Sequence, residues 1–201
     1  MATQQRERLL AQMLRNDHIL DLRDLEILDI GCGSGALFLR FMLWGATPRS
    51  LHGIDLRSER VKIARSMHPD LDVVEGSASS LPWEAGRFDM VAQFTAFTSM
   101  PDAEIREAAA REVDRVLKPG GIFIWYDFWI NPSNPNTHPI RAREVKALFP
   151  AYAHDLRRVT LAPPIARALA PRAYMLASLL QEIPFLQSHL LGVFRKAGGR
   201  G

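Results

Sequence analysis

Ile27-Leu28-Asp29-Ile30-Gly31-Cys32-Gly33-Ser34-Gly35 is the stretch that decides the fold of this 201-residue chain. The first four residues form a short apolar run and read as a buried strand. Glycines at alternate positions then allow a tight turn and let a ligand approach the backbone closely. Residues 36–44 are apolar nearly all round, as expected of a helix packed on a sheet. The start of that helix offers unpaired N–H groups and a partial positive charge. Gly31-x-Gly33-x-x-Ala36 also fits the dinucleotide fingerprint Gly-x-Gly-x-x-Gly/Ala, so the turn alone leaves its ligand open.

Outward from the turn, the pattern repeats. Residues 51–56 read as a second strand that carries Asp55 near its end, 20 residues after Gly35. A carboxylate there lies where ligands bind in an open sheet and can accept both hydroxyls of a ribose. Ser58 is placed to cap a helix over 59–67, which Pro69 stops. Residues 71–75, 88–94 and 122–127 are further strands. Asp102 opens a helix running to residue 117, and Lys118-Pro119-Gly120-Gly121 ends it. At the N-terminus, residues 5–20 hold Leu9, Leu10, Met13, Leu14 and Leu20 at near-helical spacing. Five alternations of strand and helix predict a parallel sheet with helices on both faces.

Composition narrows the class. Hydrophobic residues make up 47% and charged residues 23%, the balance of a soluble globular domain. The one cysteine excludes an internal disulfide framework, and the six histidines show no metal-ligand spacing, so no metal is expected. The net charge is +3, and residues 142–201 hold nine Arg and Lys against three Asp and Glu. No dense basic run accompanies that asymmetry, which argues against a nucleic-acid partner. The N-terminus has no signal-peptide pattern and no apolar run is long enough to span a membrane, so the chain reads as cytoplasmic.

A family resemblance rests on several segments in order. They are residues 28–35; Gly53-Ile54-Asp55; Glu75-Gly76-Ser77-Ala78 before Leu81-Pro82; Phe88-Asp89-Met90-Val91; and Arg115-Val116-Leu117-Lys118-Pro119-Gly120-Gly121. Together they resemble the class I S-adenosylmethionine-dependent methyltransferases over residues 25–128. The resemblance implies an α/β fold, a Rossmann-like doubly wound seven-stranded sheet, mostly parallel with an antiparallel last strand. It implies S-adenosylmethionine as cofactor. Asp29 and the backbone of Gly31, Cys32, Gly33 and Gly35 would hold its methionine moiety, Asp55 its ribose and Leu56 its adenine face. Ser77 and Ala78 would sit at the adenine edge, and Gln93 would face the methionine part. Many members carry Asp where Ser77 stands, which makes recognition at that edge weaker here.

On this reading the chain is one methyltransferase domain over residues 1–201. Residues 1–21 carry the N-terminal helix, 25–128 the cofactor core, and 129–201 the substrate side and last strands. The acceptor is expected above the carboxyl ends of the fourth and fifth strands. Methyl transfer from a sulfonium needs mainly positioning and exclusion of water, with a base only where the nucleophile must lose a proton. Tyr126, Asp127 and His138 are the catalytic candidates, and the aromatic residues nearby suit a flat or apolar small molecule accepting on oxygen or nitrogen, such as a biosynthetic intermediate. The segment 131–139 is a long Asn- and Pro-rich loop. Residues 162–187 read as a helical insertion flanked by Arg167 and Arg172. Its apolar surface admits a lid, a homodimer interface, a membrane-surface contact or packing on the sheet edge. A nicotinamide-dependent oxidoreductase and a non-catalytic cofactor-binding regulator are the alternatives; no Tyr-x-x-x-Lys pair supports the first.

Overall fold

The computed structural model describes residues 2–131, 134, 137–169 and 173–198. The apolar run before the glycine turn is strand β1 (Ile27–Ile30), buried along its whole length. Parallel neighbours flank it: β2 (Leu51–Asp55) on one side and β4 (Phe88–Phe94) on the other. β3 (Asp72–Glu75) extends the sheet beyond β2, and β5 (Leu117–Phe128) extends it beyond β4. β7 (Gln187–Arg195) then runs antiparallel between β5 and β6 (Ala153–Leu161). The order β3-β2-β1-β4-β5-β7-β6 is the mostly parallel, seven-stranded sheet expected, with the last strand of the chain reversed. Strand order turns back between β1 and β4, and the chain leaves them in opposite directions. A crevice therefore opens at their carboxyl ends.

Both faces are covered because both are apolar. One face packs α1 (Ala2–Asn16), α2 (Ala36–Leu43) and α3 (Ser58–Met67) through Leu10, Met13, Phe38, Phe41 and Val61. The other packs α4 (Ala103–Val116) and α5 (Ala142–Leu148) through Ala109, Val113 and Val145. β5 serves both by strict alternation: Ile122, Ile124 and Tyr126 face the first set, Phe123 and Trp125 the second. Trp125, fully buried, sits 4.9 Å from the Phe97 ring, in an aromatic cluster continued by Phe123, Phe149 and Phe194. At the opposite end of the sheet from the crevice, buried His52 bridges Glu26 (2.9 Å) and Asp72 (2.8 Å), tying the starts of β1, β2 and β3 together.

Several boundaries differ from the sequence reading for local reasons. The N-terminal helix stops at Asn16, and His18, with φ of 62°, turns the chain out of it. Ser58 is the first helical residue of α3, not its cap; Arg57 takes the cap position and its N–H is held by Asp55 Oδ1 at 2.9 Å. The segment 118–121 lies within β5, whose register against β4 shifts between Phe88 and Met90. The insertion forms α6 (Pro163–Leu169), α7 (Tyr174–Leu180) and a 3-10 turn (Pro184–Leu186). Arg172 and residues 132, 133, 135 and 136 of the Asn- and Pro-rich loop lie outside the described residues.

Candidate active site

The crevice at the switch between β1 and β4 is a cleft of about 460 Å³. Its walls come from three of the segments that carried the resemblance, with Gly31 from the first turn, Asp55 from the end of β2 and Ser77 and Ala78 after β3, joined by Leu56 and by Phe94 at the end of β4. Gly31 has φ of +72°, and a Cβ there would meet the Ala96 Cβ at 2.8 Å. The glycine thus brings backbone against the loop after β4 where no side chain fits. Gly53 does the same inside the sheet: a Cβ would strike Phe38 at 2.6 Å and the Cys32 sulfur at 2.9 Å.

Asp55 organises this wall. Its Oδ2 accepts the Gly33 N–H at 2.9 Å and its Oδ1 accepts the Arg57 N–H at 2.9 Å. One carboxylate thereby fixes the glycine turn and the start of α3 while remaining on the cleft surface. Asp29 lies behind it, buried. Removal from water, and next the charge of Asp55, hold its carboxyl well above the ordinary range. Burial likewise pushes the Cys32 thiol up, so this cysteine is an inert packing group beside Gly53.

The loop carrying Ser77 and Ala78 is held from behind. Glu112 Oε2 accepts the Leu81 N–H at 2.6 Å, and Arg115 donates to the Leu81 and Trp83 carbonyls at 3.0 and 2.8 Å. An Arg115–Glu112 pair (2.7 Å) keeps both in place. Ser77 and Ser79 hydroxyls lie 2.8 Å apart on the cleft rim.

The remaining candidates sit differently from their sequence placement. Gln93 is fully buried: its Oε1 accepts the Ala96 N–H at 3.0 Å, so it shapes the loop after β4 and is not part of the cleft wall. Asp127 is fully buried too, where it accepts Thr98 N–H (3.0 Å), the Thr98 hydroxyl and Phe128 N–H (2.9 Å). Burial raises its carboxyl to about 6 despite those donors. It ties the 3-10 turn Phe97–Ser99 to β5, next to cleft residues Thr95, Ala96 and Ser99. Tyr126 is buried, its hydroxyl 2.9 Å from that of Thr160, and burial raises its pKa. His138 is solvent-exposed and outside the cleft, its backbone N–H on the Thr98 carbonyl at 2.9 Å. None of the three presents a base to the cleft as the chain stands.

Sequence reasoning named Tyr126 on the acceptor side but missed several groups around the site. Arg57, Arg60, Met100 and Ile105 line the cleft. A second set gathers over the carboxyl ends of β4 and β5 and the amino end of β7, on the α1 face. Phe94 and Tyr126 rings lie 5.3 Å apart, and the His189 imidazole stacks on Tyr126 at 4.6 Å. The Arg6 guanidinium stands over both rings, 5.1 Å from Phe94 and 4.7 Å from Tyr126. Burial, and then the charge of Arg6, lower the His189 pKa to about 3, which keeps the ring neutral. These residues are scattered over the whole length of the chain, and they meet through the pairing of Phe94 with Tyr126, the pairing of Phe128 with His189 and the packing of α1 on β6 and β7.

Comparison with known proteins agrees with this geometry. A methyltransferase-domain family matches residues 27–121, from the first residue of β1 into β5. Residues 27–121 are thus similar to a methyltransferase domain. A phthiotriol/phenolphthiotriol dimycocerosates methyltransferase of Mycobacterium tuberculosis is 36% identical over 119 residues, 57% of this chain and 41% of that protein. A fatty-acid O-methyltransferase of Mycolicibacterium smegmatis is 30% identical over 109 residues, 53% of this chain and 38% of that protein. The chain thus matches about two fifths of these relatives' length. A S-adenosylmethionine-dependent methyltransferase of Methanosarcina mazei superposes with a TM-score of 0.68 at 23% identity, covering 90% of this chain and 96% of that one. The relatives and the neighbour named here are methyltransferases, which supports S-adenosylmethionine over a nicotinamide as the cofactor.

The cleft fits that cofactor. Gly31 leaves room where a side chain would block the turn, the Asp55 carboxylate on the cleft surface would accept from ribose hydroxyls, and Leu56 and Ala78 would supply apolar surface for a purine. Bound there, S-adenosylmethionine supplies an electrophilic methyl group on a sulfonium. Among the described residues no cluster of metal-ligating side chains and no helix long and apolar enough to cross a membrane is present.

Proposed function

We propose that this chain transfers a methyl group from S-adenosylmethionine to oxygen or nitrogen of a small, largely apolar acceptor. The observation that carries this is the shape of the cleft: a carboxylate-fixed glycine turn at one end, and apolar Phe94, Met100 and Ile105 at the other. The protein's contribution is positional. Asp29, the glycine turn, Asp55, Leu56, Ser77 and Ala78 fix the donor, and the loop after β4, held by Gln93 and Asp127, forms the wall facing the acceptor. Displacement at an activated methyl requires alignment and exclusion of water more than proton transfer. The lipid substrates in the two relatives' names favour an apolar acceptor.

The insertion formed by α6 and α7 is read as a lid. Gln5 of α1 donates to the Gln181 carbonyl just past α7 (3.1 Å) and accepts the Thr160 N–H (3.2 Å), so α1 and the insertion close over the same end of the sheet. Met175, Leu179 and Phe185 remain largely exposed, which leaves a homodimer contact or a membrane surface as the competing uses of that face. The reading also places the enzyme in the cytoplasm, where S-adenosylmethionine is made. Isothermal titration tests the core of it: S-adenosylhomocysteine should bind and NAD should not. Binding of NAD without binding of the sulfur ligand overturns it.

A further inference from the structure

Arg6 is a half-buried cation, and among the described residues it forms no ion pair with a carboxylate. Neighbouring Glu7 pairs instead with Arg40 of α2. The guanidinium is packed against two aromatic rings, and one of them, Phe94, is also a wall of the cleft. Holding a partly desolvated charge without a counter-ion costs free energy, so such a position favours binding of an anion. A guanidinium also matches a carboxylate in shape, offering two parallel N–H donors.

We propose that Arg6 recognises the reacting end of the acceptor, and that the acceptor is a carboxylic acid with an apolar body, methylated on a carboxylate oxygen. This rests on the methyl-transfer reading above and names its substrate class. The apolar body would lie along Phe94, Met100 and Ile105, which line the cleft. The chemistry agrees with the groups at hand. A lone pair of the carboxylate oxygen forms the new C–O bond, the C–S bond breaks, and its electron pair neutralises the sulfonium. The products are a methyl ester and a neutral thioether, and no proton moves. That matters because neither nearby titratable group is poised as a free base. The Tyr126 hydroxyl is bonded to Thr160, and His189 has its Nδ1 on the Ser188 hydroxyl at 2.9 Å. A carboxylate held there would be stabilised by the guanidinium, and the positive charge of a bound donor would add to that.

The test uses the full chain loaded with S-adenosylhomocysteine and three probes of equal length: decanoate, decanol and decylamine. Titration calorimetry should show decanoate binding at least about tenfold more tightly than the other two. With S-adenosylmethionine, labelled methyl should appear in a base-labile ester of decanoate. Arg6→Gln should weaken decanoate by about tenfold or more while S-adenosylhomocysteine affinity stays within about twofold, and Arg6→Lys should restore part of the loss. Equal affinity for the three probes, no ester from decanoate, or an unchanged decanoate affinity in Arg6→Gln overturns the assignment. So does a loss of S-adenosylhomocysteine affinity in Arg6→Gln, which would place the guanidinium on the cofactor. Failure of the parent protein to bind S-adenosylhomocysteine is a different outcome and overturns the methyl-transfer reading itself. The comparison of probes on the parent protein holds even where a variant does not fold.

Discussion

Asp55 joins two jobs in one side chain, and its substitutions separate them. Asp55→Ala removes the acceptor for Gly33 N–H and Arg57 N–H as well as the group offered to the ribose. Each charge-assisted bond of this kind is worth about 1.5–3 kcal/mol. We expect affinity for S-adenosylhomocysteine to fall by about tenfold or more, read by calorimetry. Asp55→Asn can keep only one N–H acceptor, because its amide nitrogen is itself a donor, so it should bind little better than Asp55→Ala. An affinity within about twofold of the parent would assign the ribose to another residue. Gly31→Ala is the matching steric test. The added methyl falls 2.8 Å from the Ala96 Cβ at a φ of +72°, so cofactor affinity should drop and the melting temperature with it. Both residues could be named from sequence, because a glycine turn and an acid after the second strand have few other uses together. Gln93 could not be placed that way: on a buried strand, the sequence does not tell a side chain that faces the ligand from one that braces the next loop.

At the scale of elements, the site depends on turns held by buried polar groups. Asp127 anchors the turn Phe97–Ser99 through Thr98, and its carboxyl is raised to about 6 by burial. A pKa raised above its unfolded value of 3.8 means the neutral form is favoured in the folded state. The stability this gives is complete below the unfolded pKa and is lost as pH rises to about 6, a difference of roughly 3 kcal/mol between the two limits. Urea titrations at about pH 4 and pH 7 should therefore show a smaller pH-dependent loss for Asp127→Asn than for the parent. Equal losses would mean that Asp127 does not titrate in this range. Asn cannot accept from all three donors, so the variant should also be less stable throughout and bind cofactor more weakly. The insertion allows a second prediction. Replacing residues 163–183 by a short Gly and Ser link removes α6 and α7 but keeps both strands they join. Cofactor binding should persist, since the glycine turn and Asp55 lie elsewhere, while methyl transfer should be lost. A change of mass in solution would identify the segment as an oligomer contact, and a fully active truncation would remove it from the acceptor site.

For the whole molecule, the cleft is lined from the ends of β1, β2, β3 and β4, so a cofactor bound in it should stabilise the fold as a unit. At a ligand concentration about 100 times the dissociation constant, linkage gives about 2.7 kcal/mol. For a chain of this size that corresponds to a rise of roughly 5–10 °C in melting temperature. Differential scanning calorimetry with S-adenosylhomocysteine should show it, and NAD should produce no rise. An equal shift with both ligands would count against the specificity of the cleft.

The cofactor half of this protein was legible in its sequence, because its signals are local. A strand, a glycine turn and an acid at the end of the next strand follow each other along the chain, and backbone stereochemistry restricts what such a run can form. The parallel order of the sheet followed from the alternation of strand and helix, since parallel strands need crossovers. The acceptor side was not legible in the same way. Arg6, Phe94, Tyr126, Thr160 and His189 have no spacing in common. They meet because α1 packs on β6 and β7, and because antiparallel pairing of β7 with β5 sets His189 opposite Phe128. Burial, which a sequence does not display, then decided which polar groups serve the fold. It closed Asp127 and Tyr126 inside hydrogen bonds, left His138 in solvent, and set Arg6 over the Phe94 and Tyr126 rings, with no carboxylate ion pair among the described residues.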